Sequence, residues 1–225
     1  MEKVLDYLLH LPALTLWLIF LAENAGITIL VLLVSKIFYK GNYSYSARQW
    51  LISGITNVLN TVVTYAGYWM WANGIISISS ERSWIIITDL LVLFFAMDLL
   101  MFIFHYIIHK SFLFKAVHQL HHLSVDPTPL DLFILHPVEA LGFGSLWLML
   151  LVVGNFNIYA IIIYLILNVL FGLMGHLGTD PLPKWRALRY LGTSTFHHDH
   201  HQDVKYNFGF YTSIWDRIAG TYKGH

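Results

Sequence analysis

The sequence has no cysteine among its 225 residues, and only 12% of them are charged. Without cysteine the chain has no disulfide, no thiolate zinc site, no iron–sulfur cluster and no cysteine nucleophile. A soluble domain carries about 25% charged residues, so this shortage, with 57% hydrophobic residues, excludes a soluble globule. The 16% aromatic residues and low charge exclude disorder. The 13 basic and 13 acidic residues balance, so we expect no nucleic-acid partner.

Five apolar segments account for the hydrophobic composition. They are residues 13–37, 50–71, 84–104, 138–153 and 156–174. A helix of about 20 apolar residues crosses a bilayer, and the last two segments, separated only by Gly154 and Asn155, predict a short helical hairpin. The expected fold is therefore an all-α integral membrane protein with three spans and that hairpin. We expect one domain, 1–225, with N-terminal transmembrane helices in 1–83 and a catalytic region in 84–225.

The basic residues predict the orientation of this polytopic chain. If segment 84–104 ends in the cytoplasm, 11 of the 13 lysines and arginines are cytoplasmic and only Lys3 and Arg82 lie outside. The positive-inside rule favours that arrangement. Residues 105–136 and 176–225 then also face the cytoplasm. The expected location is a bacterial inner membrane or the endoplasmic reticulum membrane, with the active site on the cytoplasmic side.

Histidine is abundant, and twelve of the 13 histidines follow residue 104. Eight of them form three boxes: His105 and His109; His118, His121 and His122; and His197, His200 and His201. Spacings of three and four share one helical face, so each box is expected to be a row of imidazoles pointing the same way. Imidazole binds zinc, copper, iron and nickel. Because one structural zinc takes four ligands, eight histidines predict two metal ions rather than a set of solvated side chains.

Asp98 is expected to support this site. It lies seven residues before His105 and eleven before His109, which are two and about three helical turns, so the three side chains share a face. An idle carboxylate at membrane depth is costly. We therefore expect Asp98 to orient a ligating ring.

Other residues near the boxes are weaker candidates. His176 leaves the hairpin toward the boxes and is the expected ninth ligand. The remaining supporting candidates are His136, Glu139, Asp180, His198 and Asp199. Glu139 is expected to brace a histidine or a loop, Asp180 to support His176 or bind metal itself, and Asp199 to cap a helix or support a ring.

The boxes and their surroundings resemble a known family. Beyond the boxes, the resembling motifs are His118-Gln-Leu-His-His-Leu-Ser-Val-Asp-Pro-Thr-Pro-Leu, His136-Pro-Val-Glu139, Gly175-His176-Leu-Gly, Asn207-Phe-Gly209 and Trp215-Asp-Arg217. Over about residues 85–223 the sequence resembles the fatty acid hydroxylase/sterol desaturase superfamily of integral-membrane di-iron oxygenases. The resemblance implies two iron ions, with zinc as their replacement in purified protein, and O2 as co-substrate. It also implies hydroxylation or desaturation of a C–H bond in a sterol, a fatty acyl chain or a related lipid.

The resemblance also implies an electron supply. No cytochrome b5-like segment is present in the printed residues, and no cysteine could hold an iron–sulfur cluster. We therefore expect a separate donor, cytochrome b5-like or ferredoxin-like. Two other functions stay open: a membrane zinc-dependent hydrolase or isomerase using the same ligands, and a non-catalytic metal-binding membrane protein. The chain has no His-Glu-x-x-His zinc-protease motif, and its ligands begin where a span ends, unlike the midplane sites of transporters.

Overall fold

The computed structural model describes residues 2–38, 44–180 and 186–224. Its α-helices are α1 (Glu2–Leu9), α2 (Ala13–Phe38), α3 (Ala47–Ala72), α4 (Ile85–Lys110), α5 (Pro137–Val153), α6 (Ile158–Gly175), α7 (Ser194–Gln202) and α8 (Ile214–Ala219). Two short strands are β1 (Ser77–Ser79) and β2 (Asn155–Asn157). Single π or 3₁₀ turns occupy Phe114–His118, His121–Leu123, Pro129–Phe133 and Arg186–Tyr190.

All five predicted hydrophobic segments are helical, as α2 to α6. Among the described residues, α2, α4 and α6 are long and apolar enough to cross a membrane, and α5 is equally apolar but only 17 residues long. The prediction of an all-α integral membrane protein is thereby confirmed. Lys40 and Lys184, which contribute to the basic count used for orientation, lie outside the described residues.

The helix α3 is less apolar than α2, α4 and α6, and its packing explains why. Its buried residues are all polar: Ser53, Thr56, Asn57 and Thr61. Thr28 of α2 donates a hydrogen bond to the side-chain oxygen of Asn57 at 2.9 Å. The polar side of α3 therefore faces α2, while apolar residues such as Leu51 and Val62 are exposed on its outer side. An inward polar side and an outward apolar side suit a helix that lies beside another in a bilayer.

The two strands join the α3–α4 connection to the α5–α6 connection, a contact that the sequence did not predict. They pair in parallel, with Ser77 opposite Asn155 and Ser79 opposite Asn157. The Asp89 carboxylate of α4 also accepts a hydrogen bond from the Asn157 N–H at 2.7 Å. The turn of the α5–α6 hairpin therefore lies at the same end of the bundle as the α3–α4 connection. With 17 residues, α5 extends about 25 Å from that end toward the histidines.

The hydrophobic core fixes the helix ends that carry the site. The main core lies between α4, α5 and α6 and includes Leu93, Ala160 and Tyr164. A second cluster joins Val31 of α2 to Phe133 and to residues at the end of α6. Within a bilayer, such contacts stabilise the bundle by close van der Waals packing of the helices. The packing brings the C-terminal end of α4, the N-terminal end of α5, the C-terminal end of α6 and α7 together at one end of the bundle.

Candidate metal centre

The eight box histidines converge at the C-terminal end of α4 in two groups. The first group consists of His105, His109, His118, His122 and His200, and the second of His121, His197 and His201. Within each group, one ring nitrogen per residue lies within 4.8 Å of all the others. The structure thus brings together every histidine of the three predicted boxes.

The boxes do not behave as simple rows, which corrects the sequence-based expectation. Residues four apart stay in one group: His118 with His122, and His197 with His201. The third member, three residues along, joins the other group. At 100° per residue, positions i+4 and i+3 lie 40° to one side and 60° to the other of position i. A single box can therefore serve two metal positions.

The second box also departs from an ordinary α-helix. His118 ends a π-helical turn, Phe114–His118, and His121 and His122 begin a 3₁₀ turn. Isolated π turns are frequent at functional sites. The second box thus reaches both groups from a π and a 3₁₀ turn, and the third box reaches them from an α-helix.

Ring nitrogens in the first group lie at contact distance from one another. The Nε2 atom of His105 is 2.9 Å from Nε2 of His118 and 3.0 Å from Nε2 of His109. In the second group, Nε2 of His201 is 3.1 Å from Nε2 of His197. Two nitrogens bound to one metal at about 2.1 Å and at right angles are about 3.0 Å apart, so these spacings match those of neighbouring ligands on one ion.

Fixed acceptors orient the rings. The Nδ1–H groups of four histidines donate to backbone carbonyls at 2.7–2.8 Å. The pairs are His105 with Phe208, His176 with Gly172, His200 with Tyr206, and His201 with Ser124. Such partners fix the tautomer of a metal-binding histidine and leave the Nε2 lone pair facing the site.

Among the described residues, Glu139 is the carboxylate that lies against Nδ1 of a box histidine. Its Oε1 atom lies 2.7 Å from Nδ1 of His118, and both side chains are buried. The contact favours the expectation that Glu139 braces a histidine, which stays a prediction. Glu139 stands in the first turn of α5, whose N-cap is His136. A carboxylate on Nδ1 raises the basicity of a ligating imidazole.

The donor set fits a metal ion. If Nδ1 of His118 carries a proton toward Glu139, as Nδ1 of His105 does toward the Phe208 carbonyl, the Nε2 lone pairs of His105 and His118 face each other at 2.9 Å. Two facing lone pairs repel unless a cation lies between or beside them. The Nε2 atom of His200 and both nitrogens of His122 are buried without a hydrogen-bond partner among the described residues. Buried, unsatisfied imidazole nitrogens cost free energy, which metal binding recovers.

Burial keeps the rings neutral, as metal ligation requires. For the six box histidines that lie outside the membrane-spanning helices, burial lowers the pKa below the usual 6.5. Neighbouring imidazoles lower it further, except at His121. These six residues are His118, His121, His122, His197, His200 and His201. Burial also lowers the pKa of His176 to about 4. Neutral imidazoles offer their lone pairs to a metal at physiological pH.

We expect the metal-free protein to lose stability as the pH falls below about 6.5. The folded state holds these histidines neutral, whereas the unfolded chain takes up their protons near that pH. Each proton bound only in the unfolded state lowers the free energy of unfolding by about 1.4 kcal/mol per pH unit. Thermal unfolding in detergent between pH 8 and pH 5 measures this, with the metal-loaded protein holding its midpoint to lower pH. A metal-free midpoint that stays constant or rises on acidification contradicts the expectation.

Asp98 does not touch a histidine, contrary to the expectation. Its carboxylate accepts hydrogen bonds from the backbone N–H groups of Tyr211 and Thr212, the Thr212 hydroxyl and the Trp215 indole, at 2.5–3.2 Å. The shared face with His105 is real, but seven residues of helix separate the two by about 10 Å along the axis. Asp98 therefore anchors the C-terminal part of the chain to α4.

That part of the chain, residues 207–216, is called the C-terminal strap below. Asp216 accepts from the N–H groups of Phe208 and Gly209 and from the Thr221 hydroxyl, at 2.6–2.8 Å. Asn207 adopts a left-handed conformation, with φ of 58°, which asparagine tolerates better than most residues. These contacts set the position of the Phe208 carbonyl that orients His105. The motifs Asn207-Phe-Gly209 and Trp215-Asp-Arg217 carry the resemblance, but nothing in the sequence alone indicates these contacts.

His176 lies against the second group without being one of its three members. Its ring centroid is 4.6 Å from that of His197 and 5.7 Å from that of His121. Its Nε2 atom is buried and has no hydrogen-bond partner in the described part of the chain. Ligation by His176 stays a prediction with this geometry in its favour.

Other candidates have structural roles. His136 caps α5 by accepting from the Val138 N–H, and His198 is partly exposed, 3.6 Å from Asp126. Both lie outside the two groups.

Asp180 supports α7 rather than His176. Its carboxylate accepts from the N–H and the hydroxyl of Thr195, at 3.1 and 2.6 Å, in the first turn of that helix. Asp199 is not the N-cap of α7, because it is the sixth of nine residues and Thr193 is the N-cap, and its support of a ring stays a prediction.

Comparisons with known proteins show which family the sequence belongs to. Residues 90–221 match the family model described as fatty acid hydroxylase. The chain is 32% identical to lathosterol oxidase of Mus musculus, over 58% of this chain and 43% of that protein. It is 27% identical to methylsterol monooxygenase 1 of Gallus gallus, over 52% and 40% respectively. It is also 27% identical to very-long-chain aldehyde decarbonylase GL1-7 of Oryza sativa subsp. japonica, over 73% and 28%. The chain thus spans less than half the length of these relatives. No solved structure matches it.

Proposed function

Because the chain belongs to the fatty acid hydroxylase family, we propose that it is a membrane oxidoreductase that oxidises a C–H bond of a lipid with two iron ions and O2. The family match covers all eight box histidines and the C-terminal strap. The names of the similar proteins include a sterol oxidase, a sterol monooxygenase and an aldehyde decarbonylase. These names support a lipid substrate, with a sterol or a long acyl chain as the two leading classes.

The observation that carries the proposal is the division of the box histidines into groups of five and three. One structural metal ion takes about four ligands, so two groups support two ions. The first ion would be held by the five histidines of the first group, and the second by the three of the second group together with His176. Bound iron would supply O2 activation and the removal of hydrogen from an unactivated carbon.

The protein's own residues have to orient the imidazole rings, exclude water from the site and position the lipid. Backbone carbonyls and Glu139 hold the imidazole rings in the tautomer that faces Nε2 inward. The surrounding aromatic side chains, among them Phe208, Phe210 and Phe114, pack against the rings. Apolar walls exclude water from a site where it would compete for reactive species. The location at the ends of α4 and α6 suits a lipid that reaches the site from the bilayer.

Comparative lipid mass spectrometry tests the function. Cells making the chain are compared with cells making His121→Ala, both grown under ¹⁸O2. We expect a new hydroxyl carrying ¹⁸O, or a new double bond, only with the unaltered chain, and iron in the purified protein. Zinc with oxygen-independent cleavage of a lipid would support a hydrolase instead. Bound metal with no lipid change would support a non-catalytic metal-binding protein.

We also propose that the histidine end of the bundle faces the cytoplasm. The connection between β1 and α4 carries Arg82, whereas most of the other basic residues that the structure describes lie at the histidine end. A reporter fused after residue 224 is expected to be active only in the cytoplasm, and a reporter inserted at Ser80, between β1 and α4, only outside. A C-terminal reporter active on the outer side contradicts this orientation.

A further inference from the structure

A small basic surface covers the outer side of the first histidine group. It consists of Lys110, Lys205, Tyr206 and Lys223, all exposed, and is called the basic face below. The Nζ atom of Lys110 lies 5.4 Å from the ring centroid of Phe208, and that of Lys223 lies 5.7 Å from the ring centroid of Tyr206. Asp203, 3.7 Å from Lys223, is the acidic side chain paired with it. The face therefore carries an excess of positive charge.

Only one layer of residues separates the basic face from the histidines. The Phe208 ring is fully buried under Lys110 and lies 5.2 Å from the His109 ring and 5.6 Å from the His200 ring. The carbonyl of the exposed Tyr206 accepts a hydrogen bond from Nδ1 of His200 at 2.7 Å. Contacts of this kind give short routes between the protein surface and the first group.

The proposed oxidation consumes two electrons in each turnover. Hydroxylation converts a CH2 group, one O2, two electrons and two protons into CHOH and one water. Desaturation converts CH2–CH2, one O2, two electrons and two protons into CH=CH and two waters. Both reactions need two electrons from outside, and the sequence has no cysteine for a built-in iron–sulfur cluster.

We propose that the basic face is the docking site of an acidic electron-carrier protein, from which electrons reach the first group past Tyr206 and Phe208. The inference rests on the proposed function and names the partner of the same site. Clustered lysines attract an acidic partner and speed its association. The exposed tyrosine among them is a residue type enriched in protein interfaces.

Charge reversal in nanodiscs of uncharged phosphatidylcholine tests the docking site. The full chain, loaded with iron, is compared with Lys110→Glu and Lys205→Glu, using a soluble cytochrome b5 domain and an acidic ferredoxin as probes. We expect the association rate constant of one probe to fall about tenfold or more at low ionic strength in each variant, and its salt dependence to weaken. Lys36→Glu is the matched control, since Lys36 also lies in the last turn of a span, and it is expected to leave association unchanged.

Several outcomes would overturn the docking site. They are association unchanged in both variants, equal loss in Lys36→Glu, or no binding of either probe to the unaltered chain. A loss seen only in discs containing anionic lipid would assign the lysines to lipid headgroups instead. Iron content and turnover with dithionite and a small mediator separate this proposal from the proposed function. Equal lipid oxidation with dithionite in all variants would show that the metal site is intact, so that slower association reports docking alone. No lipid oxidation in any of them, the unaltered chain included, would overturn the proposed function.

Discussion

Replacing His200 with alanine is expected to abolish lipid oxidation and to remove metal from the first group. His200 is fully buried, its Nδ1 is fixed by the Tyr206 carbonyl, and its Nε2 faces the other histidines of the group. Loss of a supporting residue around a metal costs about 10–100-fold in affinity or activity, and loss of a direct ligand is expected to exceed that range. Metal analysis of the purified protein and lipid mass spectrometry measure the two effects.

The third box provides a matched control for this substitution. His198 belongs to the same helix, but its side chain is partly exposed and lies 3.6 Å from Asp126 rather than in either group. His198→Ala is therefore expected to keep full metal content and activity. Equal losses in the two variants would show that α7 as a whole, and not ligation by His200, decides the outcome. Unchanged metal content in His200→Ala would contradict the first group as a metal site.

Local sequence patterns predict the five apolar helices and the spacing of the histidine boxes. The long apolar runs reappear as α2 to α6 with ends shifted by only a few residues. The spacing of the boxes identified His105 and His109 as neighbours, and their Nε2 atoms are 3.0 Å apart. Helical periodicity is a local property, so a single sequence carries it.

Long-range contacts explain what the sequence did not reveal. The donors to Asp98 lie 113–117 residues away, and β1 pairs with a strand 78 positions later. Most acceptors that orient the histidines are backbone carbonyls, which every residue has, so no residue type marks them. The π turn before His118 is a further feature that the spacing of the histidines alone does not specify.

Replacing Asp98 with asparagine is expected to loosen the C-terminal strap and, through it, the metal centre. All four groups facing Asp98 are N–H or O–H donors, so an amide NH2 in place of one carboxylate oxygen meets donors instead of acceptors. Hydrogen bonds to a charged group contribute about 1.5–3 kcal/mol each, and an unsatisfied buried donor costs about 1–3 kcal/mol. We expect a loss of about 2–4 kcal/mol in the free energy of unfolding, with weaker metal binding because the Phe208 carbonyl no longer holds His105 in place.

Hydrogen exchange distinguishes this positioning role from ligation by Asp98. Faster exchange of the amides in the C-terminal strap, together with metal affinity lowered by about 10–100-fold, is the expected result for Asp98→Asn. Thr212→Val, which removes the hydroxyl that donates to Asp98 and accepts from the Ile214 N–H, should give a smaller change in the same direction. Asp89→Asn is the matched control, because Asp89 lies on the same helix but accepts from Asn157 at the opposite end of the bundle, and its metal affinity should match that of the unaltered chain. Complete metal loss in Asp98→Asn with normal exchange in the strap would instead make Asp98 a ligand, since a carboxylate that binds metal directly need not hold the strap in place.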